Sequence, residues 1–306
     1  MKKPLTYGLS VVISLLLIFA YLGLIAGGLM KLRALRPQTA LKLVETESLA
    51  QKVHDNLESY YKTQENVSGI SADTYADGIS VEALAPIIRA YIENGFGYVN
   101  RTTNDISVTI DFNDLESDIT AFFVRYANEN GYEHDSVFDA KVAETIEAAE
   151  QNIRSSADVY RFRTLSEAGF LGKLRTVASW ADFLLIGSIL AIAVLLLVLS
   201  ILYRKEYAML CYWAGTAVLV GSLLMLIPAV WLQATRWFDR FAVKEDAVFA
   251  AVTGYLYTMT GTVITAAIVG IVLAAAIYVL FGVTSHASAE RARRDAKRQM
   301  KSAHSK

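Results

Sequence analysis

A single cysteine, Cys211, stands in 306 residues, so no intramolecular disulfide can form. It lies in an apolar segment, and the long polar stretch 31–178 contains none. A cysteine-free domain beyond a membrane fits a Gram-positive bacterium better than an animal secretory protein. Acidic and basic residues are missing from 183–203, 207–235 and 247–289. The chain has no Walker A motif, no Gly-x-Gly-x-x-Gly fingerprint and no Gly-x-Ser-x-Gly elbow. No serine or cysteine nucleophile can be paired with a base, and no cofactor is implied. The expectation is a non-enzyme that does not bind nucleic acid.

The charge-free runs are what is present instead. About 20 apolar residues at 1.5 Å each cross a bilayer core, and each run is long enough to do so. With the N-terminal apolar run, they predict an α-helical membrane protein with four transmembrane helices. The expected spans are 7–30 (a signal anchor), 181–203, 207–232 and 255–283. Short segments 1–6 and 233–248 flank them, and 284–306 forms a tail. The first run is too long for a cleavable signal peptide's apolar core, and no small-x-small site follows it. None of the spans holds the mid-depth ionisable group that ion-coupled carriers use. Pro228 predicts a kink or helix end, and Trp231 and Trp237 suit an interfacial belt.

Charge is sorted along the chain. Residues 31–178 hold 15 Lys and Arg against 23 Asp and Glu, while the tail 284–306 holds seven basic residues against two acidic. Lys2, Lys3, Arg204, Lys205 and the tail place both termini inside by the positive-inside rule. The 31–178 domain then lies outside a plasma membrane.

That domain reads as mainly α, with a possible α+β element. Leu49, Val53, Leu57 and Tyr60/Tyr61 stripe a helix over 39–64, and 66–78 reads as a loop. Val81, Leu84, Ile87/Ile88 and Tyr91/Ile92 predict a second helix, interrupted by Pro86 and stopped by Asn94-Gly95. Alternation at Ile106, Val108, Ile110 and Phe112 predicts a strand, with 97–102 as its candidate partner. Asn113 with Glu116 reads as a capping box opening a third helix that ends at Asn130-Gly131. Ser136 is read as the cap of a fourth, and Thr164 with Glu167 as the start of an amphipathic lead into the second span.

Candidate sites are few. Glu133-His134-Asp135 and His54-Asp55 are the histidine–acid clusters of the domain, and neither has metal-ligand spacing. Asp111, Asp114, Glu116 and Asp118 lack the glycine bend and distal glutamate of a calcium loop, so no metal is expected. Asn66-Val-Ser68 and Asn100-Arg-Thr102 match the glycosylation sequon, which carries no meaning in a bacterial chain. Gly23 and Gly27 form a Gly-xxx-Gly pair suited to close helix approach. Thr253, Tyr257 and Thr260, from the Tyr/Thr-rich stretch 254–262 and its flank, are candidates for helix packing or a lined cavity.

The segment 80–94 and ISVTIDFNDLESDI over 106–119, with the overall layout, resemble four-span membrane proteins of Gram-positive bacteria. Those have a signal anchor, one helical extracytoplasmic domain and three C-terminal spans; the resemblance implies no activity. The layout also resembles FtsX-like and MacB-like ABC permeases, which would imply an ATPase partner. Here, though, only Arg204–Glu206 joins the second and third spans, so the coupling segment of those permeases is missing. The expectation is a cell-envelope interaction or assembly protein. Its partners would be the bilayer and a protein, a second copy or a cell-wall component. The alternative is a sensor or permease-type subunit.

Overall fold

The computed structural model describes residues 2–76, 78–204 and 206–303. Residue 77 of the expected 66–78 loop, Lys205 of the short turn and 304–306 of the tail lie outside them, as do the side chains of 2–5, 67, 68, 76, 287–289 and 291–303. The described chain is helical, with no strand among the described residues. Four helices are long and apolar enough to cross a membrane, through Thr6–Ala34, Phe170–Leu202, Tyr207–Ala234 and Asp246–His286. This is a multi-pass α-helical membrane protein.

Contacts divide the chain into a membrane unit, Met1–Lys31, Trp180–Thr235 and Thr260–Lys306, and a helical domain, Leu32–Ser179 and Arg236–Met259. In chain order the elements begin with α1 (Lys2–Leu29), a π-turn (Met30–Ala34), α2 (Pro37–Thr46) and α3 (Leu49–Ser68). Next come α4 (Ala72–Ala76), α5 (Val81–Val99), α6 (Asn113–Asn130), α7 (Ser136–Ala157) and α8 (Phe162–Glu167). The long helices α9 (Phe170–Leu202), α10 (Tyr207–Ala234) and α11 (Asp246–Ala303) follow, with a 3-10 turn at Trp237–Arg240 before the last.

Inside the membrane unit, α1 lies along α10. Tyr21 is buried between two glycines: a Cβ on Gly221 would come 2.7 Å from its ring, and one on Gly270 would overlap its hydroxyl. That hydroxyl lies 3.1 Å from Ser222 Oγ. Towards one end of the unit, a hydrogen-bond chain joins α1, α9's end and α10. Ser10 Oγ donates to the Thr6 carbonyl at 2.8 Å, so its one proton is committed. Tyr203 must then donate to Ser10 Oγ at 2.7 Å, and Trp213 Nε1 donates to Tyr203 at 3.1 Å. Removing the middle member strands the indole donor. Tyr203→Phe is expected to cost about 0.5–2 kcal/mol of thermal stability in detergent. A double-mutant cycle with Ser10→Ala should show non-additivity; additive losses would contradict the chain.

The helical domain has one core, in which Leu49, Val53, Leu84, Ile88, Ile92 and Ile153 are fully enclosed. The single helix expected over 39–64 is two. The break comes at Ser48, whose φ of 51° is left-handed and turns α2 into α3. The expected loop 66–78 contains the short α4. Pro86 sits inside α5 without ending it, and Asn94-Gly95 does not stop that helix. A Cβ on Gly95 would overlap the ring of Phe162, so glycine here permits a close approach.

The expected strand over 106–112 and its partner 97–102 are not formed. Residues 97–99 end α5, while 104–112 run without a ladder. The alternation is nonetheless real: Val108 and Phe112 are buried and Ile106 and Ile110 half-buried, with exposed residues between them. Side chains replace a neighbouring strand. Asn94 Nδ2 donates to the Ser107 carbonyl at 2.7 Å and Arg154 donates to the Val108 carbonyl at 3.0 Å. The helix starts also differ by a residue or two. Asp111 receives the Asn113 amide at 3.1 Å in place of an Asn113 capping box, and Asp135 rather than Ser136 caps α7. Gly131 closes α6 in the left-handed conformation, as its sequence position predicts.

Residues 246–259, of which 246–248 were expected as loop and 255–259 as the start of the fourth span, are part of this domain. Ala247, Ala250 and Ala251 of α11 are in its core, and Tyr255 donates to the Ala34 carbonyl at 2.6 Å. Asp158 holds the adjoining corner, accepting the Phe162 and Arg163 amides at 2.9 and 2.8 Å. Burial pushes its carboxyl above the usual range, against the pull of those amides and of Arg161 and Arg163. The folded protein therefore binds this proton more tightly than the unfolded chain. Asp158's contribution is complete at low pH and is lost as pH rises through its elevated pKa. Relative to wild type, Asp158→Asn should gain stability as pH is raised from the normal aspartate range towards neutrality. Tm compared pairwise across that range tests this, and a flat difference would refute it.

Candidate functional site

The domain carries a groove of about 440 Å³, built by α3, α4, α6 and α7. Its aromatic lining comes from Tyr60 and Tyr61 of α3, Tyr75 of α4 and Phe123 of α6. Adjacent positions on α3 place Tyr60 outward, 45% exposed, and Tyr61 inward, 5% exposed. Tyr61 stacks flat on Tyr75, with centroids 3.9 Å apart and planes 5° apart, and meets Tyr60 edge-on at 5.3 Å. Gln64, Thr145 and Asn152 add neutral polar groups, and Lys141 and Glu144 pair with each other at 2.6 Å.

The Tyr61 hydroxyl is buried, with the Asn152 side-chain amide as its polar neighbour. Burial drives this phenol far above the ordinary tyrosine value, with Asn152 acting in the opposite sense. Burial and the neighbouring Tyr60 push Tyr75 up to about 12. Both rings stay neutral at physiological pH, and the Tyr61 hydroxyl remains able to donate.

The membrane unit has a larger hollow, about 750 Å³, whose walls include Tyr7, Tyr203, Arg204, Tyr212, Trp213 and Phe281. The Tyr203 hydroxyl and the Trp213 indole there are paired within the Ser10–Tyr203–Trp213 chain. A small polar hollow at the domain corner holds Arg154, Arg161 and Arg163. Each is engaged, with Glu150, Glu245 and Glu167 respectively. The exposed Tyr60 ring and the neutral polar groups beside it make the tyrosine groove the candidate site.

The residues singled out in the sequence lie elsewhere. Gly23 and Gly27 face α9 of the same chain: a Cβ on Gly23 would come 2.5 Å from Ser188 Oγ, and one on Gly27 2.9 Å from the Leu185 amide nitrogen. Thr253 donates to the Phe249 carbonyl at 2.6 Å, and Tyr257 reaches Asp239 Oδ1 at 2.8 Å. Thr260 is buried in the membrane unit.

Among possible metal ligands, His54, Asp55 and Glu58 bring donor atoms within 4.8 Å of each other. Glu58 already pairs with Lys62, and Asp55 accepts from Gln51 at 2.8 Å. His134 stacks on Phe138, and its neighbour Asp135 is occupied as the α7 cap. Tyr60 and Tyr61 were visible in the sequence as a helical stripe, but nothing there marks Tyr75, Phe123 and Asn152 as their companions.

Comparison with protein-family models, curated proteins and solved structures gives no match.

Proposed function

We propose that the protein is a non-enzymatic binding protein of a Gram-positive cell envelope, anchored by its four spans and using the helical domain as its receptor. In this reading both termini are cytoplasmic and residues 31–178 face outward, as the cation distribution favours. The tyrosine-lined groove, with the exposed Tyr60 ring at its wall, carries the proposal. Excising 31–178 would be a poor test, because Ala247, Ala250 and Ala251 would lose the core they pack in. Point variants are cleaner. Full-length protein recovered from its native host in mild detergent should retain an envelope component that Tyr60→Ala/Phe123→Ala loses. Identical recoveries by mass spectrometry would sink the reading.

A second reading, a sensor or permease-type subunit, is favoured by α11. This helix contributes core residues to the domain and then continues unbroken through the charge-free run. It predicts a stoichiometric ATPase, kinase or permease in the same purification, retained by the groove variant.

A further inference from the structure

The groove extends beyond its tyrosine-lined end. A second hollow of about 250 Å³ takes Asn56, Ser155, Ser156 and Glu245 into its walls and shares Tyr60 and Asn152 with the first. The two therefore adjoin along α3 and α7, with Tyr60 at their junction. Charges along this course are compensated, Lys141 by Glu144 and Arg161 by Glu245. What the lining offers is neutral: aromatic rings, side-chain amides and hydroxyls.

That composition discriminates among ligands. A strand-adding peptide needs an open sheet edge, and the described residues contain no strand. An amphipathic helix needs a continuous apolar trough, which Gln64, Thr145, Asn152 and Ser156 interrupt. A net-charged ligand would have to compete with the existing ion pairs. A pyranose ring has an apolar C–H face to lie on an aromatic ring and a rim of neutral hydroxyls to meet amides. Two adjoining hollows suit successive rings.

We propose that the α3–α7 groove binds a neutral oligosaccharide, with exposed Tyr60 as its stacking platform and the neutral side chains of its walls, Gln64 among them, meeting the sugar hydroxyls. The assignment rests on reading the protein as an envelope binding protein and names the ligand class for that same groove.

The test uses full-length protein in lipid nanodiscs, free of sugar detergents, titrated calorimetrically with triacetylchitotriose and with maltotriose. At least one trisaccharide should bind saturably. Tyr60→Ala should weaken it tenfold or more. Absence of binding by both sugars, or equal affinity in the Tyr60→Ala protein, overturns the oligosaccharide assignment. The native-host purification separates the two levels. A protein partner lost with Tyr60→Ala/Phe123→Ala keeps the binding reading while giving the groove a different occupant. Failure in both experiments removes both.

Discussion

Gly95→Ala is expected to lower the stability of the helical domain by about 2–3 kcal/mol, even though alanine is the better helix former. In an exposed helix interior the same change stabilises by up to about 1 kcal/mol. Here the added Cβ would overlap the ring of Phe162, including its Cγ, so the clash lies near the base of that side chain. The ring has little freedom to swing away. It is 8% exposed, with Phe96 at 5.7 Å and Tyr160 at 5.8 Å between centroids. Its backbone is held by Asp158 through the Phe162 amide. Overpacking of this kind costs about 1–3 kcal/mol or more, which outweighs the propensity gain. For a domain of this size the Tm should fall by roughly 4–10 °C. Phe162→Leu in the Gly95→Ala background should recover part of the loss, because a smaller side chain vacates the contested space. A neutral or stabilising Gly95→Ala, measured by thermal unfolding in detergent, would show that α5 and α8 are not in this close approach.

Gly95 also illustrates what a sequence conceals. Asn-Gly after an apolar stripe is an ordinary helix stop, and glycine needed for close packing looks the same in one dimension. The four membrane helices were legible because their cue, a long run without charge, is local. Gly131 was legible for the same reason: a glycine at the end of a periodic stripe can take the left-handed conformation that closes a helix. Ser48 was not, since serine seldom adopts a positive φ and nothing nearby marks the break. The alternation over 106–112 correctly identified which side chains turn inward. It could not reveal that Asn94 and Arg154 would take the place of a partner strand. The charged residues between 236 and 246 suggested a loop, yet α11 begins at Asp246 and puts three alanines into a core assembled mostly from residues some 80 to 200 positions earlier. The groove was hidden for a related reason. Tyr60, Tyr75, Phe123 and Asn152 come from four helices, and only their packing makes a site.

In the membrane unit the largest effect is expected at Gly270. Changing it to alanine should destabilise the detergent-solubilised protein by about 2–3 kcal/mol. An added Cβ would overlap both the Tyr21 hydroxyl and Ser222 Oγ. Retreat is blocked on the other side, where Gly221 already lies against the same ring. Displacing Tyr21 would also break its 3.1 Å contact with Ser222 and leave two hydroxyls to find partners where water is scarce. The cost therefore combines a steric part and a polar part, which can be separated. Tyr21→Phe/Ser222→Ala in the Gly270→Ala background deletes both oxygens that meet the new methyl. That triple variant should regain most of the lost stability, whereas Tyr21→Phe/Ser222→Ala alone should cost only the hydrogen bond, about 0.5–2 kcal/mol. Gly282→Ala on the same helix is the control: its Cβ would meet nothing within 4 Å, and its stability should be unchanged or slightly raised. Equal unfolding temperatures for Gly270→Ala and Gly282→Ala would remove the tyrosine pin. A large loss at Gly270 alone, reversed by deleting the two oxygens, would establish Tyr21 as the residue that locks α1 against α10 and α11.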